Sequence, residues 1–558
     1  MKINFIINQS DNDSTTDANI LSFMFKKIKN NIDIKLINVN NFKCEKASIN
    51  IFFGCINNVL LDFAKFNILI PNQCSFMKEW TQYLDNFDLI IVKTKYMEEI
   101  FKTFINTSKL KYIGWRSTDL YASVDKEYDE YLLYCYDHKY TDYKKIIESW
   151  EPTYPTLNIV NGSLFNIKKN QDNINYLNKL SQNDFEVMFN KCGVHICLNN
   201  IDSFSHNINQ CMLAKSIPLI INGGPMKEIV SLEDCFSFKS KKKKLNNLLG
   251  SKYDYDIDEF KTSITKIMNT SIKSLEAMSE NNRKHALKNH SINDHLFKEL
   301  MSVYLKKIRS ESVIKYNDIV SDDLPKISCI TLTHNRKHLF KLAVYNYQTC
   351  DYPKNKMEWI IYDTSNDDEK VEDFLPNEEE RLKMGIKYVH LNEKITIGES
   401  RNKACNLAKN DIIVFMDDDD YYFPQNINKR VNALINNNKQ IVGCCYLGSL
   451  AINKVISYVN APNIYSSIGK SISPATLCFY KDILNDKCKF NDSNINECED
   501  LFEKIHLKEF KELSWEEIIV SLSHKNNITN RNVPTSKPNG CLYGWTDKLL
   551  KFILELDD

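Results

Sequence analysis

Four consecutive aspartates, Asp417, Asp418, Asp419 and Asp420, follow directly on the apolar run Ile412–Met416. Adjacent carboxylates repel one another, so placing them at a strand end costs free energy unless positive charge arrives. Mg2+ or Mn2+ would supply it, because hard oxygen ligands suit those ions. Along an extended chain side chains alternate, which would put Asp417 and Asp419 on one side and Asp418 on the other. A metal held there could bridge a diphosphate and neutralise it as it departs. An acidic turn capping the helix expected near Pro424 would also account for the four aspartates taken alone.

The elements around this segment give it a setting. Strands are expected at Ile327–Leu332, Trp359–Tyr362, Ile386–Leu391, Ile412–Met416 and Ile441–Tyr446, separated by helical patterns such as the face Leu339, Ala343 and Tyr347. Open sheets of this kind bind ligands at the carboxyl ends of their strands. There the chain carries Thr331-Leu332-Thr333-His334-Asn335-Arg336, then Tyr362-Asp363-Thr364-Ser365, then Gly398-Glu399-Ser400-Arg401-Asn402 at a helix start that would favour phosphate.

In this order the motifs resemble those of a family 2 glycosyltransferase of the GT-A fold: a T-x-T-x-N-R turn, a strand-end Asp, a G-x-x-R-N helix start and an F-x-D-x-D-D-x-x-x-P segment, over roughly residues 326–530. The resemblance implies that Thr333 and Arg336 border the nucleotide, that Asp363 reads the base and that Arg401 lies near the donor. It assigns Asp417 and Asp419 to ribose, metal and diphosphate, and His524 to the late histidine near the metal. The Glu-Asp pair Glu499–Asp500 would supply the general base, Asp500 first and Glu499 in reserve, taking the acceptor's hydroxyl proton.

The first 300 or so residues lack the aspartate run. Their apolar runs predict two strand sets, from Ile3–Ile7 to Leu110–Ile113 and from Tyr131–Tyr136 to Pro218–Ile221. Asp202-Ser203-Phe204-Ser205-His206-Asn207-Ile208-Asn209-Gln210, followed by Asn222-Gly223-Gly224-Pro225-Met226-Lys227-Glu228, resembles the donor-side stretch of retaining GT-B glycosyltransferases of the family 4 kind. That resemblance implies donor contacts from Lys139, His206, Asn207 and Gln210. It is degenerate: Asp202 and Gln210 stand where glutamates are expected, and Ser203 and Ser205 where glycines are.

The expected architecture is α/β throughout: a GT-B pair of Rossmann-like lobes at 1–120 and 121–310, a linker at 311–325 and a GT-A domain at 326–558. The implied activity is metal-dependent, inverting transfer from a nucleotide-diphosphate sugar, a UDP-sugar first, to a glycan or other hydroxyl acceptor, with a second glycosyltransferase in the first half. The alternative is one active GT-A domain beside a non-catalytic glycan-binding or scaffolding half. A nucleotidyltransferase would want a glycine-rich loop after the first strand, and Thr333–Arg336 has none. With 72 basic and 72 acidic side chains, no G-x-G and no C-x-x-C among 14 glycines and 17 cysteines, composition disfavours nucleic-acid coating, nucleotide-loop ATPases, NAD enzymes and zinc ribbons. The apolar runs are too short to span a bilayer, so a cytoplasmic protein is expected. Lys239–Lys244 is expected to be a solvated loop, with an acidic ligand as the other use of such a run.

Overall fold

The computed structural model describes every residue except 29–31, 41–43, 136–142, 161–168, 178–179, 199, 201–203, 311–323, 463–465, 526, 528–532, 534–544 and 557–558. The chain divides into two compact units, Met1–Val313 and Ile314–Asp558.

The first unit contains two lobes. In the first lobe six parallel strands lie in the spatial order Asp33–Asn38, Lys2–Ile7, Ala47–Phe53, Ala64–Ile70, Leu89–Val92 and Leu110–Tyr112. Runs such as INIFF and LIIV are apolar at every position because helices cover both faces of such a sheet. The helix Asn12–Ile28 buries Ala18, Leu21, Met24 and Phe25 against it.

The second lobe orders Ser251–Tyr255, Phe236–Lys244, Ile217–Asn222, Cys192–Cys197, Glu127–Tyr134, Thr156–Val160 and Ile174–Leu177. Only the first two of these pair antiparallel. The paired parallel lobes are the GT-B arrangement the sequence implied. One expectation fails: the lysine run is not a loop but the end of the strand Phe236–Lys244, whose last four residues are exposed on an outer hairpin. Backbone pairing there needs no apolar side chains, so a solvated strand carries the lysines.

The lobes are joined firmly. The tip of that hairpin bonds to the first lobe through Leu249 N–H to Phe76 O (2.9 Å) and Lys78 N–H to Asn247 O (3.0 Å). The helix Ile272–Ser310 returns to the first lobe, where the Phe297 ring meets Phe25 edge-on at 5.1 Å.

The second unit carries a seven-stranded sheet in the order Ile386–His390, Met357–Asp363, Ile327–Thr333, Ile412–Phe415, Cys478–Tyr480, Ile441–Gly443 and Phe510–Glu512. Its first four strands are mutually parallel, and Cys478–Tyr480 runs antiparallel to both of its neighbours. A smaller sheet of Tyr421–Tyr422, Ile519–Ser523, Leu447–Ala451 and Ile456–Asn460 lies beyond the aspartates in sequence. This is a GT-A type α/β domain. The expected strand Ile441–Tyr446 ends early at Gly443, and the chain then joins the smaller sheet. Among the described residues, no helix is long and apolar enough to cross a membrane, and the cysteines are free thiols.

Candidate active site

The strand Ile327–Thr333 runs into the turn that carries Arg336. Asn335 takes a φ of 51°, a left-handed conformation that asparagine tolerates better than most residues. Its N–H donates to Ser365 Oγ (2.7 Å) and its Oδ1 accepts from Asn366 N–H (2.9 Å). Fastened in this way to the end of the neighbouring strand, the turn delivers Arg336 to the acidic segment. Its Nη1 lies 3.2 Å from Asp418 Oδ1 and 2.7 Å from Asp419 Oδ2.

The strand Ile412–Phe415 stops before the aspartates, and residues 418–420 form a turn. The alternation expected of an extended chain is therefore absent, and Asp418 and Asp419 both meet Arg336. Asp417 instead takes a two-pronged contact from Arg401, with Nη1 3.1 Å from Oδ1 and Nη2 2.9 Å from Oδ2. Asp420 ties the turn to the smaller sheet, accepting from Ser521 Oγ at 2.7 Å and Leu522 N–H at 2.9 Å. His524 Nε2 sits 3.2 Å from Asp419 Oδ2.

Asp418 is 1% exposed. Burial is the main reason its carboxyl is pushed up to about 7; Arg336 pulls the other way and Asp419 adds like charge. The Thr333 hydroxyl beside it also lowers the Asp418 carboxyl, and neither Asp418 Oδ2 nor Thr333 Oγ1 bonds to any other group among the described residues. Carboxylate oxygens and an imidazole are ligand types that Mg2+ or Mn2+ accepts. Among the described residues, no three His, Cys, Asp or Glu side chains converge as a metal-binding group; the two arginines supply the counter-charge.

These groups line a cavity of about 860 Å3 whose wall includes Thr333, Arg336, Arg401, the four aspartates and Glu497. Glu497 arrives on the loop before the helix Glu499–Lys504, and that loop is docked on the helix Ile397–Leu407. A Cβ on Gly398 would sit 1.7 Å from Asn491 O, so only glycine allows the two backbones this close. Asn402 and Phe490 exchange hydrogen bonds at 2.9 and 3.1 Å, and Arg401 Nε reaches Glu497 Oε1 at 3.4 Å. Arg401 thus lies between Asp417 and Glu497.

The same docking overturns one expectation. The helix start at Gly398 does not face a phosphate. Ile397 N–H donates to Asn494 Oδ1 (2.9 Å), Gly398 N–H to Ser493 O (3.1 Å) and Glu399 N–H to Thr396 Oγ1 (3.1 Å).

Of the expected site residues, Thr333, Arg336, Arg401, Asp417 and Asp419 line the cavity, and His524 joins through Asp419. Asp363 does not line it. It is fully buried, and its carboxylate accepts from Ser365 N–H (2.9 Å), Val371 N–H (3.1 Å) and Tyr388 Oη (2.8 Å). Asp500 and Glu499 also lie outside the cavity wall: Asp500 is exposed, and Glu499 pairs with Lys470 at 3.0 Å. The acid that sequence reasoning passed over is Glu497. The buried spacing Cys498, Leu501 and Phe502 carried the signal, since it turns Asp500 outward.

In the first unit Lys139 lies outside the described residues, as do Asp202 and Ser203. His206, Asn207 and Gln210 share the helix His206–Leu213. His206 is engaged at both ring nitrogens, Nε2 3.1 Å from Asp17 Oδ1 and Nδ1 2.9 Å from Ser117 Oγ. Asp17 also pairs with Lys93 and accepts from Trp115 Nε1–H at 2.6 Å. Burial would raise this carboxyl, but Lys93 and His206 hold it below the usual carboxylate value. Asn207 is buried.

Residues 328–476 match the model of the family described as glycosyl transferase family 2. Among solved structures, Staphylococcus aureus TarS 1-349 in complex with UDP-GlcNAc is 21% identical with a TM-score of 0.30, over 36% of this chain and 60% of that one. The mannosyltransferase PcManGT from Pyrobaculum calidifontis, in complex with GDP-Man and Mn2+, is 18% identical with a TM-score of 0.30, over 41% and 65%. Anabaena Alr3699/HepE in complex with UDP and glucose is 10% identical with a TM-score of 0.41, over 54% and 100%. The chain thus spans about 60% of the TarS chain it matches. No curated protein matches it. The matched segment runs from the strand before Arg336 through Thr476 and contains both arginines and all four aspartates.

Proposed function

We propose that the second unit transfers a sugar from a nucleoside-diphosphate sugar, UDP-linked by preference, to a hydroxyl of a glycan or glycoconjugate, inverting the anomeric carbon. The observation that carries this reading is the cavity at the strand ends, where Arg336 and Arg401 are interleaved with Asp417, Asp418 and Asp419. Thr333 and Arg336 border the nucleotide. Arg401 orients Asp417 and Glu497 together. Glu497 is the general base: it takes the acceptor's hydroxyl proton as that oxygen bonds to the anomeric carbon. The bond from that carbon to the diphosphate oxygen breaks on the opposite face, and its electron pair leaves with the nucleoside diphosphate. A divalent cation would draw its protein ligands from Asp417, Asp419 and His524, which do not converge on a common point while Arg336 and Arg401 hold the carboxylates. When bound, that cation supplies charge neutralisation of the leaving diphosphate.

One active site per chain is the reading we favour, because His206 and Asn207 in the first unit are committed to packing and hydrogen bonds. The test is donor hydrolysis and transfer by the full chain with UDP-GlcNAc, UDP-glucose and GDP-mannose, with Mn2+, with Mg2+ and with excess EDTA. Metal-dependent turnover of a UDP-sugar, abolished by Asp419→Asn, is expected. Undiminished turnover in EDTA would remove the metal assignment, and no turnover of any donor would remove the catalytic one.

A further inference from the structure

The lysine-bearing hairpin of the first unit forms one wall of a second cavity, of about 920 Å3, between that unit's two lobes. His206, Asn207 and Gln210 do not line it, but Gly224, Lys227 and Glu228 of the same expected donor-side stretch do. Five lysines line it: Lys78 and Lys95 from the first lobe, and Lys227, Lys242 and Lys244 from the second. Lys242 and Lys244 face the same side because they are two apart on one strand. Lys242 Nζ stands 5.2 Å above the Tyr96 ring, and Lys78 Nζ caps the carbonyls of Leu245 and Asn246.

No carboxylate among the described residues pairs with any of the five. The two acids in the wall are already engaged. Glu228 accepts from Lys95 N–H (2.6 Å) and Tyr96 N–H (3.0 Å), and Glu99 pairs with Lys102 at 2.7 Å. Between the lysines the wall is aliphatic and aromatic, with Ile100, Phe104, Leu232, Leu245, Leu248 and Leu249. Phe104 and Leu232 remain 44% and 61% exposed. A nucleotide sugar would strip water from ribose and sugar hydroxyls against such a wall and gain few partners. An apolar chain buries well there, and an anionic head answers the uncompensated ammonium groups.

We propose that this cavity binds a single amphiphilic anion, an alkyl or isoprenoid chain ending in a phosphate. The chain lies along Phe104, Leu232 and Leu248, and the phosphate sits among Lys95, Lys242 and Lys244. The hairpin's backbone bonds to the first lobe fix the wall in place, so binding needs no closure.

Calorimetry on the full chain with monomeric dodecyl phosphate, dodecanol and inorganic phosphate tests this. Dodecyl phosphate should bind one per chain, at least about tenfold more tightly than either of the others, because only it uses both halves of the cavity. Lys242→Glu with Lys244→Glu should weaken it about tenfold or more, and Leu232→Glu should do so independently, with the thermal midpoint of the chain unchanged in each. Equal binding of inorganic phosphate would reduce the site to surface charge and overturn the proposal. So would equal binding of dodecanol, indifference to both sets of substitutions, or binding to anionic vesicles without binding to monomeric dodecyl phosphate. Loss of donor turnover in the second unit would leave this result unaffected, since the two cavities share no residue.

Discussion

Two polar clusters at strand ends, one in each unit, have opposite fates. Around Asp17 the charges are closed on themselves: Lys93, Trp115 and His206 take up both carboxylate oxygens, and Ser117 takes the remaining nitrogen of His206. Around Asp418 the groups are balanced yet open, with Oδ2 and the neighbouring Thr333 hydroxyl bonded to no group beyond each other among the described residues, in the wall of a cavity. Both contain a buried acid held by a cation. What separates a fastening from a site is whether polar capacity is left over and reachable.

The largest expected effect tests the fastening. Lys93→Met strands Asp17 without its cation in the interior, which should cost the first unit about 3–5 kcal/mol in chemical unfolding. Adding Asp17→Asn should recover most of that. Donor turnover in the second unit should survive both. Loss of turnover without loss of stability would make the cluster functional and erase the contrast.

Glu512 separates burial from function within the second unit. It is buried behind Cys445, a residue of the cavity wall, without lining the cavity itself, and burial pushes its carboxyl up to about 7, as it does for Asp418. A carboxyl favoured in its neutral form by folding contributes fully below its unfolded value of 4.5, and that contribution is lost as pH rises through 7. Between pH 5 and 8 the second unit should lose about 2.5 kcal/mol of stability through this group, at ~1.4 kcal/mol per unit of displacement. Glu512→Gln should remove this group's share of the slope, leaving that of Asp418, without changing turnover. An unchanged slope would assign the pH dependence to other acids.

At the cavity itself, Glu497→Gln should lower transfer by ~10²-fold with donor affinity nearly unchanged, as loss of a general base does. Asp500→Asn should stay within about twofold, as an exposed substitution does. Asp418→Asn and Asp419→Asn should weaken metal-dependent donor binding to a similar degree, since both acids contact Arg336. Retained binding in the first with loss in the second would restore the strand-like alternation that the turn at 418–420 removes.

Much of this was legible in residue order. The parallel strands announced themselves as short apolar runs, and the ordered motifs located Arg336, Arg401 and the aspartates. Single motifs read in isolation misled where a neighbour had already claimed the group. Asp363 looked like a base reader but satisfies Ser365, Val371 and Tyr388, a set drawn from three segments. The helix start at Gly398 looked like a phosphate cradle, but residues 493–494 fill it, and nothing local to Gly398 encodes that docking. The lysine hairpin was missed because its exposed strand carries no apolar alternation.

The smallest expected effect bears most directly on the comparison. A degenerate donor site in the first unit would have Gln210 where a charged ribose partner is expected, so Gln210→Glu should tighten nucleotide binding by the ~1 kcal/mol that separates charged from neutral hydrogen bonds. We expect no change. Gln210 is half-buried on the same short helix as His206 and Asn207, whose side chains are engaged or buried, and it does not line the cavity between the lobes, so a carboxylate there has no ribose to meet. The measurement is calorimetry with UDP and GDP on the full chain carrying Asp419→Asn to silence the second unit, with and without Gln210→Glu. Heat that appears only with the glutamate would mean that the first unit keeps a donor cleft one charge short of working. The His206–Asp17 contact would then be part of a site, and leftover polar capacity would not be the feature that divides the two units.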